Sequence, residues 1–305
     1  MTSSHATKPN VLISGGTGFV GSALTDSLET QGYRVKHLTR STPKSDRGIQ
    51  WDPAHGDIDQ QGIDNADIII NLAGASIAGG WWTEKRKQVI LDSRIDSTTT
   101  LANAISRAQN KPSLFISTSA VGYYGDRPGE VLDESSGTGD MFMSQVCAQW
   151  EQAADPAREA GVRVVHPRFG VVMSGSGGML PLIRLPFKFG LGGKIGGDQH
   201  MAWIALHDLI RVVDFIIEND HLHGPINAVA PESTTNAEFT NAMGSALNRP
   251  TIIPVPRAAA AFAGGQLARE LLLPDQNVKP AVLKEAGFVF ERPTIEGTLQ
   301  AAFKS

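Results

Sequence analysis

Asn10-Val-Leu-Ile-Ser14 runs directly into Gly15-Gly16-Thr17-Gly18-Phe19-Val20-Gly21, after which Val20, Leu24 and Leu28 recur on one face until Gly32. An apolar run, a glycine turn and a residue pattern of helical period make a strand, a tight loop and an amphipathic helix. The loop reads as G-x-x-G-x-x-G or, from Gly16, as G-x-G-x-x-G. Its glycines permit the turn and let the backbone approach a pyrophosphate, while the helix start offers free N–H groups and positive dipole charge. Gly15, Thr17, Gly18, Phe19 and Val20 are therefore predicted to hold a dinucleotide. The alternative is a glycine turn needed only for packing the helix on its sheet.

Outward from this unit the same alternation continues. Tyr33–Leu38 reads as a second strand, and Asp67-Ile-Ile-Ile-Asn-Leu72 as a buried parallel one. A long helix is predicted from after Thr83 to about Gln109, a strand over Ser113–Ser117, a helix over Gln145–Glu159 and a strand over Val162–His166. Strands alternating with helices predict an α/β fold, a doubly wound parallel sheet of Rossmann type. Beyond Gly170 the pattern breaks into Gly- and Pro-rich pieces, with a helix near Leu206–Glu218. The expected division is a nucleotide-binding domain over 9–170 plus 204–228, and a smaller C-terminal substrate lobe over 171–203 and 229–305.

Composition narrows the function. The 305 residues are 41% hydrophobic and 19% charged, with 32 glycines, which is globular and rich in turns. A net charge of −4 leaves no basic surplus for a phosphate backbone, so a small-molecule partner is expected and nucleic acid is not. Cys147 stands alone, which excludes an internal disulfide and suits a reducing, cytoplasmic setting. The polar start Met1–Pro9 lacks the apolar core of a signal peptide, and no apolar run is long enough to cross a membrane. Ala258–Leu273 contains Gln266, Arg269 and Glu270 and reads as an amphipathic helix. A monomer or homodimer is expected.

Cofactor preference is set at the end of the second strand, where NAD-specific folds place an acidic residue on the ribose hydroxyls. Leu38-Thr39-Arg40-Ser41 has none. Arg40 can grip a 2′-phosphate in bidentate fashion and Ser41 can add a hydroxyl donor, so NADP(H) is predicted over NAD. The competing reading makes Arg40 a solvated loop residue.

Gly15–Gly21, Asn71-Leu72-Ala73-Gly74 and Ser117-Thr118-Ser119 followed by Gly122-Tyr123-Tyr124-Gly125 occur in the order of the short-chain dehydrogenase/reductase superfamily, which the chain resembles. More closely, Val146-Cys-Ala-Gln-Trp-Glu151, Pro186-Phe-Lys-Phe-Gly-Leu-Gly-Gly193, Trp203-Ile-Ala-Leu-His-Asp208 and Thr235-Asn-Ala-Glu-Phe239 resemble its atypical epimerase-family group. The resemblance spans nearly the whole chain and includes an appended C-terminal region from about Pro254 to Phe303. It implies that Leu72, Ala73 and Gly74 line the adenosine side, that Ser117 joins the cofactor contacts, and that Ser119 is the catalytic serine. It also implies that Pro167 and Arg168 pass beneath the nicotinamide.

One departure matters. The family's Tyr-x-x-x-Lys pair appears here as Phe142 and Val146, neither of which can move a proton. Among replacements Tyr124 ranks first, as a catalytic phenol beside Ser119, and Tyr123 is the neighbouring candidate. His207-Asp208 reads as a structural Asp with an oriented His, since adjacent helical residues diverge. Arg94 falls on the inward face of the long helix with Ile90, Thr98, Leu101 and Ile105, so it is expected in a buried ion pair or against a ligand anion, the ion pair being favoured. Ser174-Gly-Ser-Gly-Gly178 is either an anion cradle or, preferably, a flexible loop. Two functions follow: an NADP-dependent oxidoreductase or epimerase-like enzyme acting on a small polar metabolite or nucleotide-sugar, or a non-catalytic NADP(H)-binding sensor or assembly protein.

Overall fold

The computed structural model describes residues 8–78 and 80–304, so Met1–Thr7 of the polar start lie outside the described residues. In chain order the strands begin with β1 (Asn10–Ser14), β2 (Arg34–Thr39), β3 (Gly48–Asp52), β4 (Asp57–Ile58), β5 (Ile68–Asn71), β6 (Leu114–Ser117), β7 (Ser119–Ala120) and β8 (Val131–Leu132). They continue with β9 (Arg163–Phe169), β10 (Val171–Met173), β11 (His200–Met201), β12 (Trp203–Ala205), β13 (Gly224–Ala228), β14 (Thr234–Thr235) and β15 (Asn277–Val278). The helices of the first half are α1 (Phe19–Thr30), α2 (Gln60–Asp64), α3 (Glu84–Arg107) and α4 (Phe142–Gln152). Then come α5 (Asp155–Glu159), α6 (Leu180–Lys188), α7 (Leu206–Glu218), α8 (Asn236–Leu247), α9 (Arg257–Leu271), α10 (Ala281–Glu285) and α11 (Ile295–Lys304).

The main sheet runs β13-β9-β6-β5-β1-β2-β3-β4, with β7 paired to β9. Its pairs are parallel except β3 with β4. Strand order reverses between β1 and β5, which opens a crevice at their carboxyl ends. Alternation along β5 explains its run of three isoleucines. Ile68 and Ile70 pack with Ile13, Leu24 and Leu209 on the α1/α7 face, whereas Ile69 packs with Leu12, Leu101 and Phe115 on the α3/α5 face.

Local chemistry sets the boundaries. Thr83 caps α3 by accepting from Arg86 N at 3.2 Å, and Gly32 leaves α1 with φ +89, a conformation favouring glycine. The helix expected over Gln145–Glu159 instead starts at Phe142 and divides into α4 and α5. Pro156 explains the break, because it lacks an N–H and its ring crowds the carbonyl of residue 152. Similarly, the helix expected over Ala258–Leu273 is bent at Gly265, where φ is +56.

A second apolar cluster joins Phe187, Trp203, Phe239, Met243 and Leu299 and unites α6, α8 and α11. The C-terminal region is stitched back through β15, which pairs with β8. No helix among the described residues is long and apolar enough to cross a membrane.

Candidate nucleotide site

The glycines of the first loop divide by what a side chain would strike. A Cβ on Gly15, whose φ is +72, would stand 2.8 Å from the Leu72 carbonyl oxygen; one on Gly16 would stand 2.5 Å from the His37 ring; one on Gly21 would stand 2.2 Å from the Gly15 oxygen. These positions are glycine because the protein itself fills the space. Gly18 differs. It caps α1 with φ −78 and ψ 176, which any residue adopts, and a Cβ would meet only the Gly15 oxygen, at 3.2 Å. Packing alone therefore does not demand a glycine at the helix start. No side chain caps α1 and no acidic residue sits in its first turn, leaving the Phe19 and Val20 N–H groups for an anion. A pyrophosphate fits this cradle.

Loops from distant parts of the chain converge on it. The Phe19 ring lies under Gly177 and Gly178, where a Cβ on Gly177 would approach within 2.4 Å, so Phe19 can serve a ligand only through its backbone. The Ser174–Gly178 segment is thus packed over the start of α1 rather than standing free. At the opposite side, Arg40 is exposed just past β2, and Ser41 Oγ lies 3.1 Å from Thr39 Oγ1. Asn71, the polar residue in an otherwise apolar strand, accepts from Ser14 Oγ and from Ala73 N and donates to Thr98 Oγ1 at 2.8 Å. It fixes Leu72-Ala73-Gly74 against the glycine loop. Sequence reasoning missed this role, although a lone Asn among isoleucines signals it.

Ser117 and Ser119 end β6 and begin β7 with their side chains buried; Ser117 Oγ has no hydrogen-bond partner among the described residues, and Ser119 Oγ is left only the Cys147 thiol. An unpaired buried hydroxyl is costly unless something else satisfies it. The side chains of α4 that face this strand end are Met143 and Cys147, one residue beyond the expected Phe142 and Val146. Met143 Cβ and Cys147 Sγ lie 3.2 and 3.8 Å from the Cβ position of Gly122, and the thiol interacts with Ser119. Phe142 instead meets Trp82 edge-on at 5.8 Å, and Val146 is buried in the same cluster. Burial pushes the Cys147 thiol up to about 11, so it is no thiolate at neutral pH.

Two expected roles are corrected by burial. Tyr124 is fully enclosed; its hydroxyl donates to Asn227 Oδ1 at 2.7 Å and accepts from Arg168 Nη1 at 2.9 Å, and burial pushes the phenol up to about 12. A hydroxyl so committed does not face a substrate. Arg168 is buried too, and its Nε and Nη2 each lie 2.8 Å from a Glu151 carboxylate oxygen. Desolvation alone would lower its pKa, yet Glu151 holds it above the usual range. Its side chain is a structural cation, so only the β9 backbone at Pro167-Arg168 is left to approach a ligand. Tyr123, in contrast, is half-buried with the Arg168 guanidinium stacked 3.5 Å from its ring centroid, and its hydroxyl makes no hydrogen bond among the described residues.

The ion pair expected for Arg94 is absent among the described residues. Arg94 is 9% exposed, donates through Nη1 to the Ile90 and Ala75 carbonyls at 2.9 and 3.2 Å, and leaves Nε without a partner. By contrast, Asp208 is buried and accepts from the Glu291 and Arg292 amides, while His207 pairs with Glu291 at 2.6 Å. That pair closes the chain end against α7.

Known proteins share this architecture. Residues 11–229 match the NAD dependent epimerase/dehydratase family, and residues 255–302 match a domain of unknown function, DUF1731. Epimerase family protein Mb2239 of Mycobacterium bovis is 41% identical over 93% of this chain and 94% of its own length. A crystal structure of human epimerase family protein SDR39U1 (isoform 2) with NADPH is 34% identical, with a TM-score of 0.87 over 97% of this chain and 99% of that one. A nucleoside-diphosphate sugar epimerase from Corynebacterium glutamicum is 34% identical, with a TM-score of 0.80 over 97% of this chain and 58% of that one.

Proposed function

The chain belongs to the NAD dependent epimerase/dehydratase family, and on that footing we propose that it binds NADP(H) and acts as an oxidoreductase or epimerase-like enzyme on a small polar metabolite or nucleotide-sugar. The observation that carries this reading is the open glycine cap, Gly18, at the uncapped start of α1. NADPH in the human relative agrees with it. A bound nicotinamide would supply the hydride acceptor or donor. The residues of the chain do the rest: Gly15, Thr17, Gly18, Phe19 and Val20 receive the pyrophosphate, and Leu72, Ala73 and Gly74 line the adenosine side. Ser117 offers an unpaired hydroxyl to the cofactor, and Ser119, held only by the Cys147 thiol, offers its own to the substrate. The proton is assigned to Tyr123 in place of Tyr124, because its hydroxyl is free. With Cys147 buried and unable to cross-link within the chain, the reading keeps the protein in a reducing, cytoplasmic setting.

Arg40 is assigned to the 2′-phosphate. Fluorescence titration is expected to show tighter binding of NADPH than of NADH, and Arg40→Ala to erase roughly tenfold or more of that preference, the worth of a charge-assisted contact. Equal affinities in the wild type would remove the NADP assignment. The second reading, a non-catalytic NADP(H)-binding sensor, draws on α4, where Phe142 and Val146 replace the proton-transfer pair and the residue beside Ser119 is the buried Cys147. Cofactor turnover across a panel of carbonyl compounds and sugar nucleotides separates the two, since a sensor binds without turning over.

A further inference from the structure

A buried guanidinium with no carboxylate is the least compensated charge near the site. Arg94 reaches from α3 into the space between Gly74-Ala75 and α4: its Cζ lies 5.0 Å from the Trp150 ring centroid and 3.3 Å from the Cβ position of Gly74. It stands near the Cys147 thiol, which itself adjoins Ser119. Both of its hydrogen bonds use Nη1 and end on backbone carbonyls; Nε is orphaned, and Nη2 makes no hydrogen bond among the described residues. Taking a lone cation out of water costs several kcal/mol, and backbone carbonyls offset only part of that. Such a group persists where a ligand completes its coordination.

The same region lacks a cation that the family pattern leads one to expect. The Tyr-x-x-x-Lys lysine would stand on α4, where Met143, Val146 and Cys147 carry no charge. Resting on the NADP(H) reading above, we propose that Arg94 supplies that cation from the neighbouring helix α3, and that its free guanidinium donors bind the dinucleotide where it passes Gly74-Ala75. The flat group stacked on Trp150 is held in orientation as a flexible lysine would not be. This role is distinct from that of Arg40, which senses only the 2′-phosphate.

The test is titration of the full chain with NADPH and NADH, with melting temperature followed for each variant without nucleotide. Arg94→Met is expected to weaken both nucleotides by the same factor, about tenfold or more, while the free protein melts no lower than wild type because an uncompensated charge has gone. Arg94→Lys is expected to lose less, and carries the test if the Met variant does not fold. Unchanged affinity in these variants overturns the inference, as does a loss confined to NADPH. A lower melting temperature with nucleotide binding intact also overturns it, making Arg94 a structural residue. Wild-type protein that binds neither nucleotide refutes the functional reading itself, which is a separate result.

Discussion

Gly18→Val abolishes nucleotide binding while the protein stays folded. The expectation rests on a contrast among neighbouring glycines. At Gly18 the backbone is extended, a Cβ meets only the Gly15 oxygen at 3.2 Å, and the surrounding protein can yield by a few tenths of an ångström. Exchanging glycine for a β-branched residue at a helix cap costs about 1 kcal/mol, which leaves circular dichroism close to wild type. The branched side chain nevertheless projects at the helix start, into the space a pyrophosphate must approach, and affinity should fall on the order of a hundredfold or more. Gly21→Val is the control: a Cβ 2.2 Å from the Gly15 oxygen collides with backbone, so that variant should lose its fold. A folded Gly18→Val protein with normal affinity would show that the loop is only a packing turn.

The second large effect separates two adjacent tyrosines. Tyr123→Phe keeps the ring beneath Arg168 and deletes the free hydroxyl, so folding and cofactor affinity should hold while turnover drops by roughly 10²–10⁴-fold. Tyr124→Phe should do the reverse. It strips Asn227 and Arg168 of a buried partner and is expected to cost about 1–3 kcal/mol of stability, with turnover retained in the folded fraction. The pH dependence has a definite sign. The Tyr124 phenol is raised to about 12 in the folded state, above about 10 for a free phenol. Its neutral form therefore supports the fold fully below pH of about 10, and that support is lost as pH rises through the folded value. Chemical denaturation across this alkaline window should show a decline that Tyr124→Phe flattens. Full turnover in Tyr123→Phe would exclude the phenol as proton donor, whereas wild-type protein that binds the cofactor without turnover would favour the sensor reading.

Much of the fold was legible in the sequence because two periodicities dominate it. The three isoleucines of β5 announce a strand buried on both faces, and Val20, Leu24 and Leu28 announce a helix laid on the sheet. Less legible was what interrupts a pattern. Pro156 divides a helix that spacing alone would continue, and β13 (Gly224–Ala228) begins with Gly-Pro and gains its strand character only by lying beside β9. The site shows the same limit. The resemblance matches Phe142 and Val146 to the Tyr-Lys pair, and the rotation of α4 puts their neighbours Met143 and Cys147 against Gly122, with Cys147 beside Ser119. A displacement of one residue turns a helix by about 100°, and no local signal in the sequence specifies it.

The sequence by itself determined that the chain carries a strand, a glycine loop and a helix suited to a dinucleotide, that no acidic residue follows β2, and that the usual Tyr-Lys pair is missing. These are properties of residue type and local order. Only the tertiary structure decided which polar groups are already satisfied. Arg168 and Tyr124 are distant in sequence from Glu151 and Asn227, yet folding closes them into a buried network, whereas Arg94 and Ser117 are left with buried groups unpaired among the described residues. The physical reason is that a polar side chain's availability depends on the partners that long-range packing delivers, and those partners lie on other elements of the fold.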